Sequence, residues 1–432
     1  MTEQTARPGR NLGLVAAIAL VMGNMIGSGV FLLPASLAPF GWNAIGGWIF
    51  TIGGSLVLAW TIACLTRQVR DADDLVGFIT KAFGPLAGVL LGWNYLITIW
   101  VATVTIAVAA VSYFSALVPG IESIPFGPVL GALVIVWTIT LINLRGTHTA
   151  GNFQILTAVI KVLPLLLVIA LAVGLLVTGD AELAPFEPAK IAFPHVSAAA
   201  ALCLWALLGF ETASAAAQQV RDPEINVPRA TMFGTALTGL FYLLVCSAVG
   251  LMLPHEVAST SPAPLATFVE RFWNPGPAAF VSLFAIVSCI GAVNGWVLVQ
   301  GEMPRAMAVK GEMPRWFAGT DARGTPRRAL VFGSLVASCF LLLNSGHSMQ
   351  GLFEFLLLLT TSAVLWFYLA LALAAWKLKV ARPFAVLGAA YSVWTLWGAG
   401  FEADAWSLAL TLLGLPIYWW TRREARLAAH AT

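Results

Sequence analysis

Small and polar residues interrupt an apolar stretch near the start of the chain, between residues 12 and 37, where the sequence reads Gly23-Asn24-Met25-Ile26-Gly27-Ser28-Gly29. Hydrocarbon contains no water to satisfy free backbone amides, so such a break is tolerated only where the freed groups line a cavity or bind something. A half-helix that begins after the break directs unpaired N–H groups and a positive dipole end at the site, which suits a carboxylate or phosphate. The candidate substrate-binding residues here are Asn24, Ile26, Gly27, Ser28 and Gly29. A small-residue packing face is the alternative, although three consecutive small residues lack its four-residue spacing.

A second interruption lies in the stretch 195 to 217, which contains Leu204-Trp205-Ala206-Leu207-Leu208-Gly209-Phe210-Glu211. Exposing Glu211 to lipid would cost on the order of 3 kcal/mol, so its side chain is expected to face the protein interior. Burial raises the proton affinity of a carboxylate, and a neighbouring substrate would change it again, which can link proton binding to transport. A protonated structural carboxyl is the alternative.

Composition places these breaks in a polytopic membrane protein. Of 432 residues, 59% are hydrophobic and 10% are charged, and the mean hydropathy is +0.87. We predict twelve membrane-spanning helices, each apolar for the roughly 20 residues that a bilayer requires: residues 12–37, 43–66, 84–116, 127–144, 153–178, 195–217, 231–253, 276–300, 329–346, 350–374, 383–401 and 404–420. With a cytoplasmic N-terminus, all of the 23 basic residues face inward except Lys190, Arg271 and the intramembrane Lys161, which predicts that both termini are cytoplasmic.

The two breaks fall in the first and sixth spans, and this correspondence predicts two inverted repeats of five helices, each with its first helix unwound. The predicted organisation is one all-α transmembrane domain: a tail 1–11, repeat one 12–178, repeat two 195–374, two additional helices 383–420 and a tail 421–432. The five cysteines have no spacing typical of metal or redox motifs. No metal, organic cofactor or nucleic-acid partner is expected.

Several motifs together resemble the amino acid, polyamine and organocation transporter family, and within it the arginine/agmatine and putrescine/ornithine exchangers. They are the segment from Gly23 to Pro34, Leu204-Trp205 with Gly209-Phe210-Glu211, the segment from Arg221 to Ala230, Gly295-Trp296, and Trp397-Gly398-Ala399-Gly400. The resemblance covers essentially the whole chain. It implies a LeuT-like fold and secondary transport by alternating access, with the substrate between broken helices one and six.

The resemblance also implies residue roles. Ser28 and Gly29 would hold the substrate carboxylate, and backbone carbonyls near Gly209, with Ala206 and Leu208 beside it, would take the amine. Trp205 resembles the gating aromatic, Glu211 the acidic coupling residue, and Trp296 the aromatic that stacks on the side chain in arginine exchangers. For both tryptophans, plain packing is the alternative.

Lys161 departs from the apolar fifth span of those exchangers and resembles proton-coupled relatives, in which a lysine ammonium replaces sodium. A buried cation there could release a proton during the cycle. The alternative is snorkelling, since the ammonium lies roughly 12 Å from the cytoplasmic end at 1.5 Å per residue.

Hydroxyl groups in the third and tenth spans are weaker pocket-lining candidates, because such groups often bond only to their own helix. They are Thr98 and Thr103 near Trp100, and Thr360, Thr361 and Ser362, of which Thr361 and Ser362 are retained as substrate-binding candidates. We therefore expect an amino-acid exchanger of a bacterial inner membrane, with protons and lipid as further partners, polyamines as possible substrates and a homodimer as a possible assembly. Paired tryptophans favour a cationic substrate, whereas Lys161 favours proton-coupled transport of neutral amino acids as the alternative. A membrane enzyme and a channel are disfavoured, because neither convergent acid and base residues nor a filter sequence is present.

Overall fold

The computed structural model describes residues 13–69, 71–72, 74–118, 120, 124, 126–145, 161–211, 220–346 and 348–430. These residues form an all-helical protein, as predicted. The helices of its first half are α1 (Leu14–Met25), α2 (Gly29–Leu37), α3 (Trp42–Gln68), α4 (Leu75–Phe83), α5 (Pro85–Leu117), α6 (Gly127–Asn143) and α7 (Leu163–Thr178). Those of the second half are α8 (Phe193–Leu207), α9 (Pro223–Met252), α10 (His255–Thr260), α11 (Pro264–Phe272), α12 (Pro275–Val309), α13 (Arg327–Leu343), α14 (Met349–Lys377), α15 (Arg382–Ala399), α16 (Phe401–Leu412) and α17 (Gly414–His430).

Five helices in the described ranges are each long and apolar enough to cross a membrane, namely α3, α5, α9, α12 and α14. Two bent pairs would raise the number to seven: α1 with α2, bent by 50°, and α15 with the helix that follows it, bent by 113°. Helices α6, α7 and α8 are apolar but shorter. Each of the twelve predicted spans overlaps a described helix, while their arrangement as an inverted repeat stays a prediction.

Two groups of helices pack closely within themselves. The first group contains α1, α2, α3, α8 and α9, and the second contains α5, α6, α12 and α13. Helix α14 contacts both groups through α5 and α8. The broken first span therefore packs with the sixth and seventh spans, while the second group forms a separate framework.

Helix boundaries differ from the prediction at the polar ends. The eighth span was expected to end at residue 300, but α12 continues to Val309. An ion pair within this extension, from Arg305 Nε to Glu302 Oε2 at 3.0 Å and three residues apart, stabilises the polar turns. The amphipathic helix α4 also lies in a segment that was expected to be a loop, and the Asp74 carboxylate caps it by accepting from the Gly77 N–H at 2.7 Å.

Candidate functional site

The first membrane span is broken between Met25 and Gly29. Helix α1 ends at Met25, Ile26 has an extended ψ of 98°, and α2 begins at Gly29. All residues from Met25 to Leu37 are buried. A helix end leaves its last carbonyls and the next helix start leaves its first N–H groups without intrahelical partners, so this break places both kinds of free group inside the protein.

Two side chains from other spans satisfy carbonyls in the last turn of α1. The Lys161 ammonium donates to the Gly23 carbonyl at 2.9 Å, and the Tyr242 hydroxyl donates to the Met25 carbonyl at 2.9 Å. Lys161 has no exposed surface, so the structure does not have the snorkelling arrangement that was the alternative for this residue. A cation at a helix C-terminus also interacts favourably with the negative end of the helix dipole.

The start of α2 is held against other spans. The Phe31 carbonyl accepts from the Tyr113 hydroxyl at 2.8 Å, which positions the first turn of α2 against α5. Ser28 is 1% exposed, and its hydroxyl finds no partner among the described residues. A buried hydroxyl without a partner costs about 1–3 kcal/mol, so an acceptor supplied from outside the chain would offset that cost.

Gly29 and Gly27 face different helices. A Cβ added at Gly29 would lie 2.6 Å from the Ala206 Cβ on α8, and one added at Gly27 would lie 3.3 Å from the Ala292 Cβ on α12. Close approach to α8 therefore accounts for glycine at position 29, in line with the packing alternative for that residue. The same contact brings the broken span against the sixth span.

The sixth span also stops being helical at its predicted break. Helix α8 ends at Leu207, Leu208 is extended, and Gly209 has a φ of +104°. A Cβ at Gly209 would lie 3.4 Å from the Asn24 carbonyl oxygen. The breaks of the two spans are thus adjacent through Asn24 and Gly209. The predicted continuation at Thr212, Ala213 and Ser214 lies outside the described residues.

Trp205 lies in the last turn of α8, beside this junction. Its side chain is 5% exposed, and its indole N–H has no acceptor within the part of the chain that the structure describes. Ala206 and Leu208, which flank this end of α8 in sequence, are buried, and so is Ile26 in the break of the first span. Trp296 lies on α12, one turn after the Ala292 that faces Gly27, and is partly buried. Residues four apart share a helix face, so Trp296 lies on the side of α12 that faces the break.

Glu211 is the centre of a buried hydrogen-bond cluster. Its carboxylate accepts from the Tyr95 hydroxyl on α5 at 2.6 Å and from the Tyr368 hydroxyl on α14 at 3.1 Å. The side chain is 4% exposed, so it faces the interior as expected. The Tyr95 ring stacks on Phe367 with centroids 4.7 Å apart. One carboxylate therefore joins three membrane spans.

Comparison with known proteins identifies the family. The model of the amino acid permease family matches residues 12–420. The chain belongs to the amino acid permease family. It is 30% identical over 339 residues to a cadaverine/lysine antiporter of Escherichia coli K12, which covers 77% of this chain and 75% of that protein. It is 27% identical over 426 residues to the putrescine transporter PotE of E. coli K12, covering 94% and 95%. A Haemophilus influenzae PotE is 25% identical over 425 residues, covering 94% of this chain and 96% of that protein.

This membership confirms the resemblance found in the sequence, and it makes the chain a transporter rather than an enzyme. The residues of the two breaks lie within the matched range. These comparisons assign no role to any residue of the site, so the residue roles are inferred from the geometry.

Most hydroxyl groups proposed for the permease site bond within their own helices. Thr98, Thr103 and Thr360 each donate to the carbonyl four residues earlier, which is the alternative considered for them. Ser362 donates to Asp404 and hydrogen-bonds with Ser407 at 2.8 Å, which places its hydroxyl against α16. Thr361 differs, because its buried hydroxyl lacks a partner among the described residues. Trp100 packs edge-on against Trp93 and Phe332.

Besides Tyr113, which holds the start of α2, the structure adds three tyrosines that the sequence analysis missed. Tyr95 and Tyr368 hold Glu211, and Tyr242 holds the end of α1. A signal was available in the sequence, because all three lie deep within apolar stretches of this permease rather than at their ends. Buried tyrosine hydroxyls require hydrogen-bond partners, so a tyrosine in mid-span points to a polar group nearby.

Proposed function

We propose that this permease is a secondary active exchanger of cationic amino acids or their amine products. Three relatives support this proposal, since their names describe a cadaverine/lysine antiporter and putrescine transporters. The substrate would bind between the first and sixth spans. The observation that carries the proposal is the junction of the two breaks, where Gly209 approaches the Asn24 carbonyl and the Ser28 hydroxyl is buried without a described partner.

The two breaks provide complementary ends for a zwitterion. The N-terminus of α2 is the positive end of its dipole and carries free N–H groups, so the substrate carboxylate would bind at Ser28 and Gly29. The C-terminus of α8 is a negative end, and carbonyls near Gly209 would accept from the substrate ammonium. Lys161 and Tyr242 already bind the C-terminus of α1. The end of α8 is therefore the better place for the ammonium.

Alternating access would move the two packed groups of helices relative to one another. Trp205 belongs to the group with the broken span, whereas Trp296 belongs to the other group. In the described conformation Trp205 and Ser28 are almost fully buried, which fits a closed state of the site. Trp205 would close over the substrate, and Trp296 would stack on a cationic side chain.

Glu211 would couple protons to this movement. Its carboxylate joins the sixth span to Tyr95 in the second group and to Tyr368 on α14. A tyrosine hydroxyl can donate to a carboxylate or accept from a carboxyl, so protonation of Glu211 can change the cluster without removing it. Protons are therefore proposed as partners of transport.

A second candidate function is proton-coupled transport of neutral amino acids. Lys161 favours it, because its buried ammonium bonds to the carbonyl of Gly23 at the end of α1 and adds positive charge close to the substrate region. Such a charge repels a cationic side chain and can take the place of a metal ion. The two candidates predict different substrates for the same site.

Counterflow in liposomes tests both candidates. Purified protein is reconstituted in vesicles loaded with unlabelled lysine, cadaverine, putrescine or leucine, and uptake of labelled lysine or leucine is measured. An exchanger of cationic substrates accelerates lysine uptake when lysine or a diamine is inside. Leucine uptake driven by a pH gradient supports the second candidate. Uptake that no internal substrate or gradient accelerates contradicts both.

The proposed location is a bacterial inner membrane with both termini cytoplasmic, since the compared relatives are bacterial and basic residues cluster in the expected inner loops. A homodimer remains a further proposal.

A further inference from the structure

A cavity of about 450 Å³ lies between α3 and α9 at their expected cytoplasmic ends. Arg67, in the last turn of α3, and Arg229, in the second turn of α9, both line it. The proposed transport mechanism uses none of the residues that line this cavity. Its volume lies within the range of roughly 300–1,000 Å³ that ligand sites in proteins occupy.

The polar end of the cavity carries a net positive charge. Arg67 and Arg229 bring two guanidinium groups to this end. Glu224 also lines the cavity, so the formal charge of its lining is +1. Two guanidinium groups that share one cavity are suited to a phosphate, because each presents several fixed N–H donors to its oxygens.

The rest of the lining is apolar. On α3 the lining residues Trp60, Cys64 and Arg67 are three or four positions apart, so they follow one helix face from apolar to basic. On α9 Phe233 is 60% exposed at the cavity wall. Trp60 also packs on Phe384 of α15 with ring centroids 6.2 Å apart. The cavity therefore has a basic end at the expected membrane surface and an apolar wall deeper in the bilayer.

We propose that this cavity binds one anionic phospholipid of the inner leaflet, with its phosphate between Arg67 and Arg229 and its acyl chain along Trp60 and Phe233. Basic pockets between membrane helices on the cytoplasmic side recognise lipid headgroups in this way. The +1 charge of the lining complements the single negative charge of phosphatidylglycerol, whereas the zwitterionic phosphatidylethanolamine would leave that charge uncompensated. Because α3 and α9 both pack in the group that contains the broken span, the lipid would contact the moving part of the permease.

Lipid binding can be measured without any transport. Delipidated protein is titrated with phosphatidylglycerol or phosphatidylethanolamine and examined by native mass spectrometry. One molecule of phosphatidylglycerol should bind saturably, and with higher affinity than phosphatidylethanolamine. Each basic residue near a membrane surface contributes about fivefold to such binding, so Arg67→Gln with Arg229→Gln should weaken it about 25-fold. The matched control Arg145→Gln alters an arginine two residues after the end of α6, at the expected cytoplasmic side and outside the cavity, and should bind like the wild type.

A charge-preserving variant guards against misfolding. Arg67→Lys with Arg229→Lys should retain most of the binding, and equal loss in the lysine and glutamine variants would contradict a charge-based site. Cys64 lines the cavity and Cys339 is exposed elsewhere, so phosphatidylglycerol should slow maleimide modification of Cys64 but not of Cys339.

Three further outcomes overturn the proposal: equal binding of both lipids, unchanged binding by the glutamine variant, or displacement of the lipid by millimolar glycerol phosphate. The last result would show a site for a free anion rather than for a lipid. None of these outcomes depends on which substrate the permease carries, so this inference and the proposed function fail separately.

Discussion

Lys161 and Glu211 are both buried in the membrane-spanning part of the protein, and their hydrogen-bond partners differ in kind. Lys161 donates to a main-chain carbonyl at the end of α1, whereas Glu211 accepts from two side-chain hydroxyls on α5 and α14. Both are at most 4% exposed. A backbone carbonyl cannot change its role as an acceptor, but a tyrosine hydroxyl can donate or accept.

Because their partners differ, the contacts of Lys161 and Glu211 are suited to different functions. The Lys161 contact is broken only by movement or by loss of the charge, so it is suited to hold the broken end of α1 in place. When the Glu211 carboxylate gains or loses a proton, the hydroxyl groups of Tyr95 and Tyr368 can rotate to accept or to donate. The cluster is therefore suited to sense a proton. Both contacts join separate segments of the chain, which makes each of them sensitive to the relative movement of helices.

Removal of the Lys161 charge should have the largest effect. Lys161→Met keeps an apolar stem of similar length but leaves the Gly23 carbonyl without its donor. Hydrogen bonds to charged groups contribute about 1.5–3 kcal/mol, so counterflow of the identified substrate should slow by roughly 10- to 100-fold. The control Lys81→Met removes an exposed ammonium that pairs with Asp71 and should be nearly silent. Wild-type counterflow in Lys161→Met would show that this contact does not hold the transport site.

Neutralising Glu211 should change the pH response of transport. Glu211→Gln preserves the size of the side chain and one acceptor oxygen but cannot bind or release the proton. We expect the pH profile of counterflow to flatten, with a rate about tenfold lower if the amide satisfies one of the two tyrosines. The control is Asp404→Asn, which neutralises another carboxylate of the membrane region, bound to Ser362. An unaltered pH profile in Glu211→Gln would exclude this residue as the proton-coupling group.

The two tyrosines of the Glu211 cluster should not be equal. Tyr95 lies 2.6 Å from the carboxylate and Tyr368 lies 3.1 Å from it. Because short bonds to a charged acceptor are the stronger ones, Tyr95→Phe should slow counterflow about tenfold and Tyr368→Phe about threefold. In a Glu211→Gln background both substitutions should cost less, as a double-mutant cycle would show. Equal effects in both backgrounds would mean that the tyrosines act through packing alone.

The sequence predicted the positions of the breaks because free backbone N–H and C=O groups inside a membrane can be satisfied in only a few ways. Glycine and polar residues in the middle of two apolar stretches located the breaks around Gly27 to Gly29 and around Gly209, and in the structure α1 ends at Met25 and α8 ends at Leu207. What encloses the breaks could not be predicted in this way. The hydrogen bonds of Lys161, Tyr95 and Tyr242 each join residues more than one hundred positions apart, and nothing local in the sequence encodes them.

Helix ends were the weaker part of the prediction for a related reason. Hydropathy follows the bilayer, whereas α12 continues past it, where the ion pair of Glu302 with Arg305 accompanies the buried side chains of Met307 and Ala308. The prediction for Ser362 was limited in the same way. The residue type alone does not distinguish a hydroxyl that faces the break from one that binds Asp404.

Substitution of an ionisable group outside the membrane, Glu312, should have the smallest effect. Glu312 follows α12 in the loop, where partial burial and the nearby Asp74 raise its pKa, while Lys310 and a hydrogen bond from Thr80 oppose that shift. The raised pKa means that folding favours the protonated carboxyl, so the wild type gains stability as pH falls through that pKa and loses it as pH rises. Glu312→Gln should therefore raise the free energy of unfolding at pH 7.5 by about 0.5 kcal/mol, and the gain should shrink in acid.

Thermal unfolding at several pH values measures this difference, and Glu302→Gln is the matched control because Glu302 pairs with Arg305. That control should be slightly destabilised at pH 7.5. Counterflow by Glu312→Gln should keep the pH profile of the wild type, because this carboxyl lies in the loop after α12 and joins no membrane spans at the breaks. A flattened profile in Glu312→Gln would instead move the proton-sensing role out of the membrane and away from Glu211.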